Sequence, residues 1–161
     1  MTDPSFPEPT VVAADAQHLA VVRERVAMAD VPALFDRAFP LIFAALERRG
    51  IGPVAPPLGV LHGTPGETLD IGVAVPVAEP FEAGGDAEGV AGETLAPGPT
   101  ATLLVRGDYG RLPAAYDHLY RWIAAQGLTA GEVAWEQYLT EPSPDGDPAR
   151  NETLVGAQLV E

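Results

Sequence analysis

A lone glutamate stands among aromatic residues in Val133-Ala134-Trp135-Glu136-Gln137-Tyr138-Leu139, with no arginine beside it in sequence. A carboxylate in that company is either satisfied by a distant partner or kept for a cationic or protic ligand, because an unpaired buried charge is costly. Two kinds of chemistry follow. Glu136 could be the counter-charge to a bound cation, or a general base that takes a proton from water while Tyr138, Tyr109 or His62 polarises an electrophile. The period-2 rule for strands sends Trp135, Gln137 and Leu139 to one face and Ala134, Glu136 and Tyr138 to the other. The bulky face is expected to pack on helices, which leaves Glu136 and Tyr138 on the face turned away from them. The plain alternative is a solvated sheet face on which Glu136 does nothing.

Other chemistry is thinly supplied. There is no cysteine, so disulfides, thiol catalysis and thiolate metal sites are excluded. The three histidines, His18, His62 and His118, show no i,i+4 pairing and no carboxylate at metal-ligand spacing, and no Gly-x-Ser-x-Gly elbow occurs. The Gly-rich stretch 82–89 lacks the Lys and Ser/Thr of a phosphate-binding loop and reads as a linker. Asp145-Gly146-Asp147 with Asn151 and Glu152 lacks the twelve-residue spacing of a calcium loop. Neither metal nor cofactor is expected.

The elements that must position Glu136 belong to an internal repeat. Residues 20–45 align without a gap on residues 101–126 at an offset of 81, with identities at Ala20/Ala101, Arg25/Arg106, Pro32/Pro113, Ala33/Ala114, Asp36/Asp117, Ile42/Ile123 and Ala44/Ala125. Bulk is also kept in kind at Val31/Leu112, Phe35/Tyr116, Phe39/Tyr120 and Leu41/Trp122, at helical spacing. Each copy reads as strand, helix, strand, strand. In the first, Thr10–Ala14 and His18–Val26 are strand segments, Asp30 is a candidate cap for a helix that contains Pro40 and ends at Gly50, and Leu58–His62 and Leu69–Val77 form a hairpin. In the second, Val90–Leu95 and Thr100–Arg106 are strand segments, Leu112–Gln126 is a helix closed by Gly127, and Glu132–Thr140 and Leu154–Val160 are strands.

The expected organisation is therefore a Pro-rich arm over residues 1–9 and one domain over 10–161, with unit one about 10–80 and unit two about 90–160. Beyond the helices the first copy is longer, and an offset of 76 sets Val60 against Glu136 and His62 against Tyr138. Met28 and Tyr109 are equivalents at offset 81, each just before a helix, where they suit a flat apolar ligand or simply staple the helix end. Tyr116, Tyr120 and Trp122 share the helix pattern and read as core.

Charge narrows the partners. Nine basic residues, all Arg, face 23 acidic ones for a net charge of -14, so nucleic-acid binding is not expected and cationic ligands are favoured. No signal-like or membrane-spanning stretch appears, which makes a cytoplasmic protein the default expectation.

The segment Val105-Arg106-Gly107-Asp108-Tyr109-Gly110-Arg111-Leu112, the following helix with Tyr120 and Trp122, Gly127, and Trp135-Glu136-Gln137-Tyr138 together resemble the gyrase-inhibitor-like (GyrI-like) small-molecule-binding domains. These also form the effector-binding part of some AraC-type and MerR-type multidrug regulators. The resemblance implies an α+β fold of two pseudo-symmetric βαββ units (an SHS2-like repeat) in a curved antiparallel sheet, with helices on one face and a ligand groove at the junction. It maps the family's ligand-facing acid onto Glu136 and its aromatic positions onto Tyr138 and Tyr109, with His62 where many relatives carry Tyr. The implied ligand is amphipathic, aromatic and cationic, contacted by Glu136, Tyr138, Tyr109, His62, Met28 and Trp135. Some stand-alone relatives look like hydrolases of cyclopropane-containing compounds, which keeps an enzymatic reading open with Glu136 as base. A third reading, an acidic protein that binds a partner such as gyrase, has only the diffuse net charge behind it. No oligomeric state follows from the sequence.

Overall fold

β-Branched and small apolar residues, punctuated by Asp, Gly and Pro, build ten regular elements in a computed structural model that describes residues 6–63, 66–82, 89–140 and 150–160. In chain order these are β1 (Thr10–Ala14), β2 (Gln17–Ala27), α1 (Val31–Arg48), β3 (Leu58–His62), β4 (Thr68–Val77), β5 (Ala91–Leu95), β6 (Gly98–Arg106), α2 (Leu112–Ala125), β7 (Ala130–Tyr138) and β8 (Glu152–Leu159). The class is α+β with antiparallel pairing throughout the registers described. Most of the calcium-loop stretch and most of the Gly-rich linker, with the centre of the 63–66 turn, lie outside the described residues.

The chain forms two compact units, Asp15–Pro97 and Met1–Ala14 with Gly98–Glu161. The first has strand order β3-β4-β2-β5 and the second β1-β6-β8-β7. Both boundaries differ from the sequence-based ones for one reason. β1 pairs with β6, and β5 pairs with β2, so the two copies exchange their first strands. A short edge strand has no local code for its partner, and sequence proximity pointed to the wrong one.

The repeat itself holds to the residue. A 3-10 turn at Met28–Asp30 precedes α1, and one at Tyr109–Arg111 precedes α2, at an offset of 81. Asp30 makes no side-chain capping bond, contrary to its expected role; its place at the end of the 3-10 turn leaves the cap empty. Asp108 instead caps the second turn, accepting from the Gly110 amide at 2.8 Å. α1 is 18 residues long and α2 is 14, a difference of about one turn. Both end in the same way, with Gly50 (φ 66°) and Gly127 (φ 73°) in the left-handed region. Ile51 N–H then bonds Leu46 O, and Leu128 N–H bonds Ile123 O, which satisfies orphan carbonyls.

One helix covers one sheet face in each unit. In the first, Leu34, Ala38, Ile42 and Leu46 pack on Val22, Ile71, Val73 and Val75. In the second, Leu112, Ala115, Leu119 and Ile123 pack on Ala101, Leu103, Val105, Val155 and Ala157. The pair Leu34/Ala38 becomes Ala115/Leu119, which moves bulk by one turn while nearly conserving its sum. Residues 6–9 are less of an arm than expected, since Phe6 is buried in the second core, with its ring 5.3 Å from His118 and under the Arg111 guanidinium at 4.6 Å.

Pro40 is accommodated inside a continuous α1, on an exposed position. It still deletes one helical N–H donor. Pro40→Ala is expected to raise the urea midpoint, by about 1 kcal/mol of stability, with an unchanged m-value; a lower midpoint would show that Pro40 is needed for the helix path.

Candidate functional site

β7 carries Glu136 and Tyr138 two residues apart, and its register decides which way they face. Glu136 lies opposite Val155 and Tyr138 opposite Thr153 on β8. Directly opposed residues share a face, and Val155 belongs to the core under α2. Glu136 and Tyr138 therefore face the helix, the reverse of the expected orientation. Trp135, paired with Gly156, takes the other face, where its indole lies over the glycine in the space a side chain would fill. Bulk alone does not require a helix, because an aromatic ring over a cross-strand glycine buries itself without one.

The carboxylate is gripped at both oxygens. Tyr138 Oη donates to Glu136 Oε1 at 2.6 Å, and Tyr116 Oη, from α2, donates to Oε2 at 2.8 Å. Tyr109, in the 3-10 turn, meets the Tyr138 ring edge-on at 5.8 Å and 74°, and Tyr120 stacks on Tyr116 at 6.4 Å and 20°. No arginine or histidine contact with Glu136 occurs among the described residues, whereas the carboxylates of Glu24, Asp70, Glu93, Asp117 and Glu152 each meet an arginine.

Electrostatics follow the geometry. Desolvation pushes the Glu136 carboxyl above the usual carboxylate range, with the Tyr138 and Tyr116 hydrogen bonds pulling back. Burial and the facing carboxylate push both phenols well above their ordinary value, and Tyr109 rises for the same two reasons. The result is a dry carboxyl ringed by tyrosines that stay protonated near neutrality. Asp70 shows the contrasting case: Arg23 bonds both its oxygens at 2.8 Å, and its carboxyl is held below the usual range.

Four of the aromatic and acidic groups thus come together: Glu136, Tyr138, Tyr109 and Tyr116. Trp135 is on the opposite sheet face. Met28 and His62 belong to the other unit. Met28 is 58% exposed at its 3-10 turn. His62 lies opposite Asp70 at the end of β3, on the sheet face away from α1, and its Nε2 is buried with no hydrogen-bond partner among the described residues.

The structural register also corrects the pairing of the copies. Tyr138 opposes Thr153, which opposes Val105; Leu61 opposes Ile71, which opposes Glu24, the repeat equivalent of Val105. The offset in these strands is therefore 77, as at the C-terminal glycines of the helices, and not 76. A slip of one residue turns every side chain over, so Val60 and His62 are not the counterparts of Glu136 and Tyr138. The counterparts are Gly59 and Leu61. With Phe35 for Tyr116 and Met28 for Tyr109, the first copy has an apolar residue or glycine wherever the second has a polar group of the cluster. The Tyr116 ring packs against the core, as its place in the helix pattern implies. The available signal was its hydroxyl, which the packing of Phe35 shows to be unnecessary for the fold.

Among curated proteins, none matches the chain in sequence. The fold recurs in the C-terminal domain of EcmrR, with a TM-score of 0.80 at 14% identity, covering 97% of this chain and 98% of that one. The chain spans only 57% of the longer EcmrR seen in a complex with DNA. A hydrolase from Listeria innocua has a TM-score of 0.68 at 11% identity, covering 95% of this chain and 92% of the other. SAV2435, determined bound to tetraphenylphosphonium, has a TM-score of 0.66 at 13% identity, covering 96% and 94%. Residues 7–155 match the family model of the GyrI-like small-molecule-binding domain, and the chain belongs to that family.

Proposed function

We propose that the chain binds amphipathic aromatic cations, with Glu136 as counter-charge and Tyr138, Tyr109 and Tyr116 as the aromatic surround, in a sequestering or sensing role. The observation that carries this reading is a desolvated carboxyl held by two phenols and met by no cationic side chain among the described residues. A bound cation would supply the missing charge, and each ring facing it would add roughly 0.5–2 kcal/mol. The family's small-molecule binding, and a structural neighbour seen with tetraphenylphosphonium, agree with that ligand class.

Thermal unfolding of the wild type and of Glu136→Gln across a series of tetraphenylphosphonium concentrations tests the reading. The expected result is a concentration-dependent rise in Tm for the wild type that Glu136→Gln largely abolishes. Equal shifts in both proteins would sink it.

The same cluster supports a second reading, as a hydrolase. Two phenol O–H groups beside one carboxylate can work as base and acids together: Glu136 takes a proton from water as the water oxygen bonds a carbon of a cyclopropane conjugated to a carbonyl, the ring C–C bond breaks, its electron pair passes to the carbonyl oxygen, and a tyrosine hydrogen-bonds that oxygen, which is then protonated. Multiple turnovers of a cyclopropane-bearing electrophile, lost in Glu136→Gln, would favour it. Binding without product formation would leave the cation-binding reading alone.

A further inference from the structure

Resting on the cation-binding reading above, we propose that Tyr116 is a positioning residue whose phenol determines how well the Glu136 site tells a cationic ligand from a neutral one of similar shape. Tyr116 reaches the carboxylate from α2, across the interface between helix and sheet, and is the described partner of Oε2. An ionised carboxylate accepts from both Tyr116 and Tyr138. A protonated one must itself donate, so one phenol loses its acceptor. Each phenol therefore favours the charged form, and the two together oppose desolvation.

The hydroxyl has no packing reason to be there. Phe35 occupies the equivalent place in the first copy and packs against its core with a bare ring. Tyr120 stacks on Tyr116 and limits its swing, which keeps the donor aimed. The ionisable groups facing Glu136 among the described residues are Tyr138 from β7, Tyr116 from α2 and Tyr109 from the turn before it, with Tyr120 stacked on Tyr116; the opposing β8 positions are Val155 and Thr153. All four phenols are pushed upward by burial, so the carboxyl is the group of this cluster that gives up its proton first as pH rises.

Losing Tyr116 Oη removes one of the two hydrogen bonds that favour the charged form, so the carboxyl holds its proton to higher pH and its attraction for a cation returns only as pH rises. A purely structural residue would instead weaken every ligand at every pH. Calorimetric binding of tetraphenylphosphonium and of neutral triphenylphosphine oxide, to the full chain from pH 5.5 to 9, separates these cases. Tyr116→Phe is expected to bind tetraphenylphosphonium roughly tenfold more weakly at pH 7 and to recover toward the wild type near pH 9, with triphenylphosphine oxide unaffected. Tyr116→Met removes the ring as well as the donor, so if the Phe protein folds poorly its test is the recovery of tetraphenylphosphonium binding between pH 7 and pH 9, which loss of the ring alone would not produce. Wild-type discrimination and an unshifted pH profile in the folded variants would overturn the proposal while Glu136→Gln still lost the cation. No Glu136-dependent binding in the wild type would instead overturn the cation-binding reading, and this proposal with it.

Discussion

Glu136→Gln should bind tetraphenylphosphonium about a hundredfold more weakly than the wild type, since removing one partner of a buried charge pair costs about 2–5 kcal/mol. Without ligand, the same variant should be the more stable protein at pH 7. The two effects have one cause. In the folded state burial holds the carboxyl above its ordinary range, with the tyrosine hydrogen bonds offsetting only part of the shift. Between the ordinary carboxylate value and the raised one, the native state keeps a proton that the unfolded chain has released. Wild-type stability therefore falls as pH rises through that interval and levels off above it. Glutamine carries no such charge, accepts one phenol at its carbonyl oxygen, and removes this slope. Urea unfolding at several pH values from 4 to 8 reads the difference directly, with a gain on the order of 1 kcal/mol at neutral pH. A Glu136→Gln protein that is weaker at pH 7, or that keeps the wild-type slope, would mean the carboxylate is stabilised by something other than the two phenols.

The second large effect lies on the reverse face of the same strand. Gly156→Val should destabilise the protein by roughly 3 kcal/mol, because a Cβ at position 156 would fall inside the Trp135 indole, and both residues are buried. For a chain of this size each kcal/mol lowers Tm by about 2–4 °C. Trp135 cannot retreat without moving β7, and β7 carries Glu136 and Tyr138. Cation binding is therefore expected to weaken along with stability. A Trp135→Leu change in the same chain makes room for the valine, so the double variant should be more stable than the sum of the single losses predicts. Strict additivity would show that the glycine is tolerated for some reason other than the indole.

These outcomes bear on how much the chain's sequence discloses. Helices and strands were readable because period and punctuation agreed: Pro32 and Pro113 near the helix starts, Gly50 and Gly127 at the ends, alternation between them. Equivalence of the copies was readable through β2, α1, β6 and α2 because no insertion interrupts it. It failed just beyond, where one turn of extra helix must be absorbed and a single-residue error in register exchanges the two sheet faces. The face of Glu136 was misjudged for a related reason. Side-chain bulk does not say whether a strand face is covered by a helix or filled by a ring lying on a glycine of the next strand.

The sequence by itself determined the duplicated α+β architecture, the acidic balance that disfavours polyanions, and the candidacy of Glu136 with Tyr138 and Tyr109, because local patterns, residue chemistry and the family resemblance carry those readings. Only the tertiary structure decided that β1 and β5 change places between the copies, that Trp135 turns away, and that Tyr116 completes the grip on the carboxylate. These rest on contacts between segments far apart in the chain, such as β1 with β6 or β2 with β5, or on strand register and the reach of Tyr116 from α2 to β7. Hydrogen-bond registers and a helix laid across a sheet set such contacts, and no short stretch of sequence encodes them.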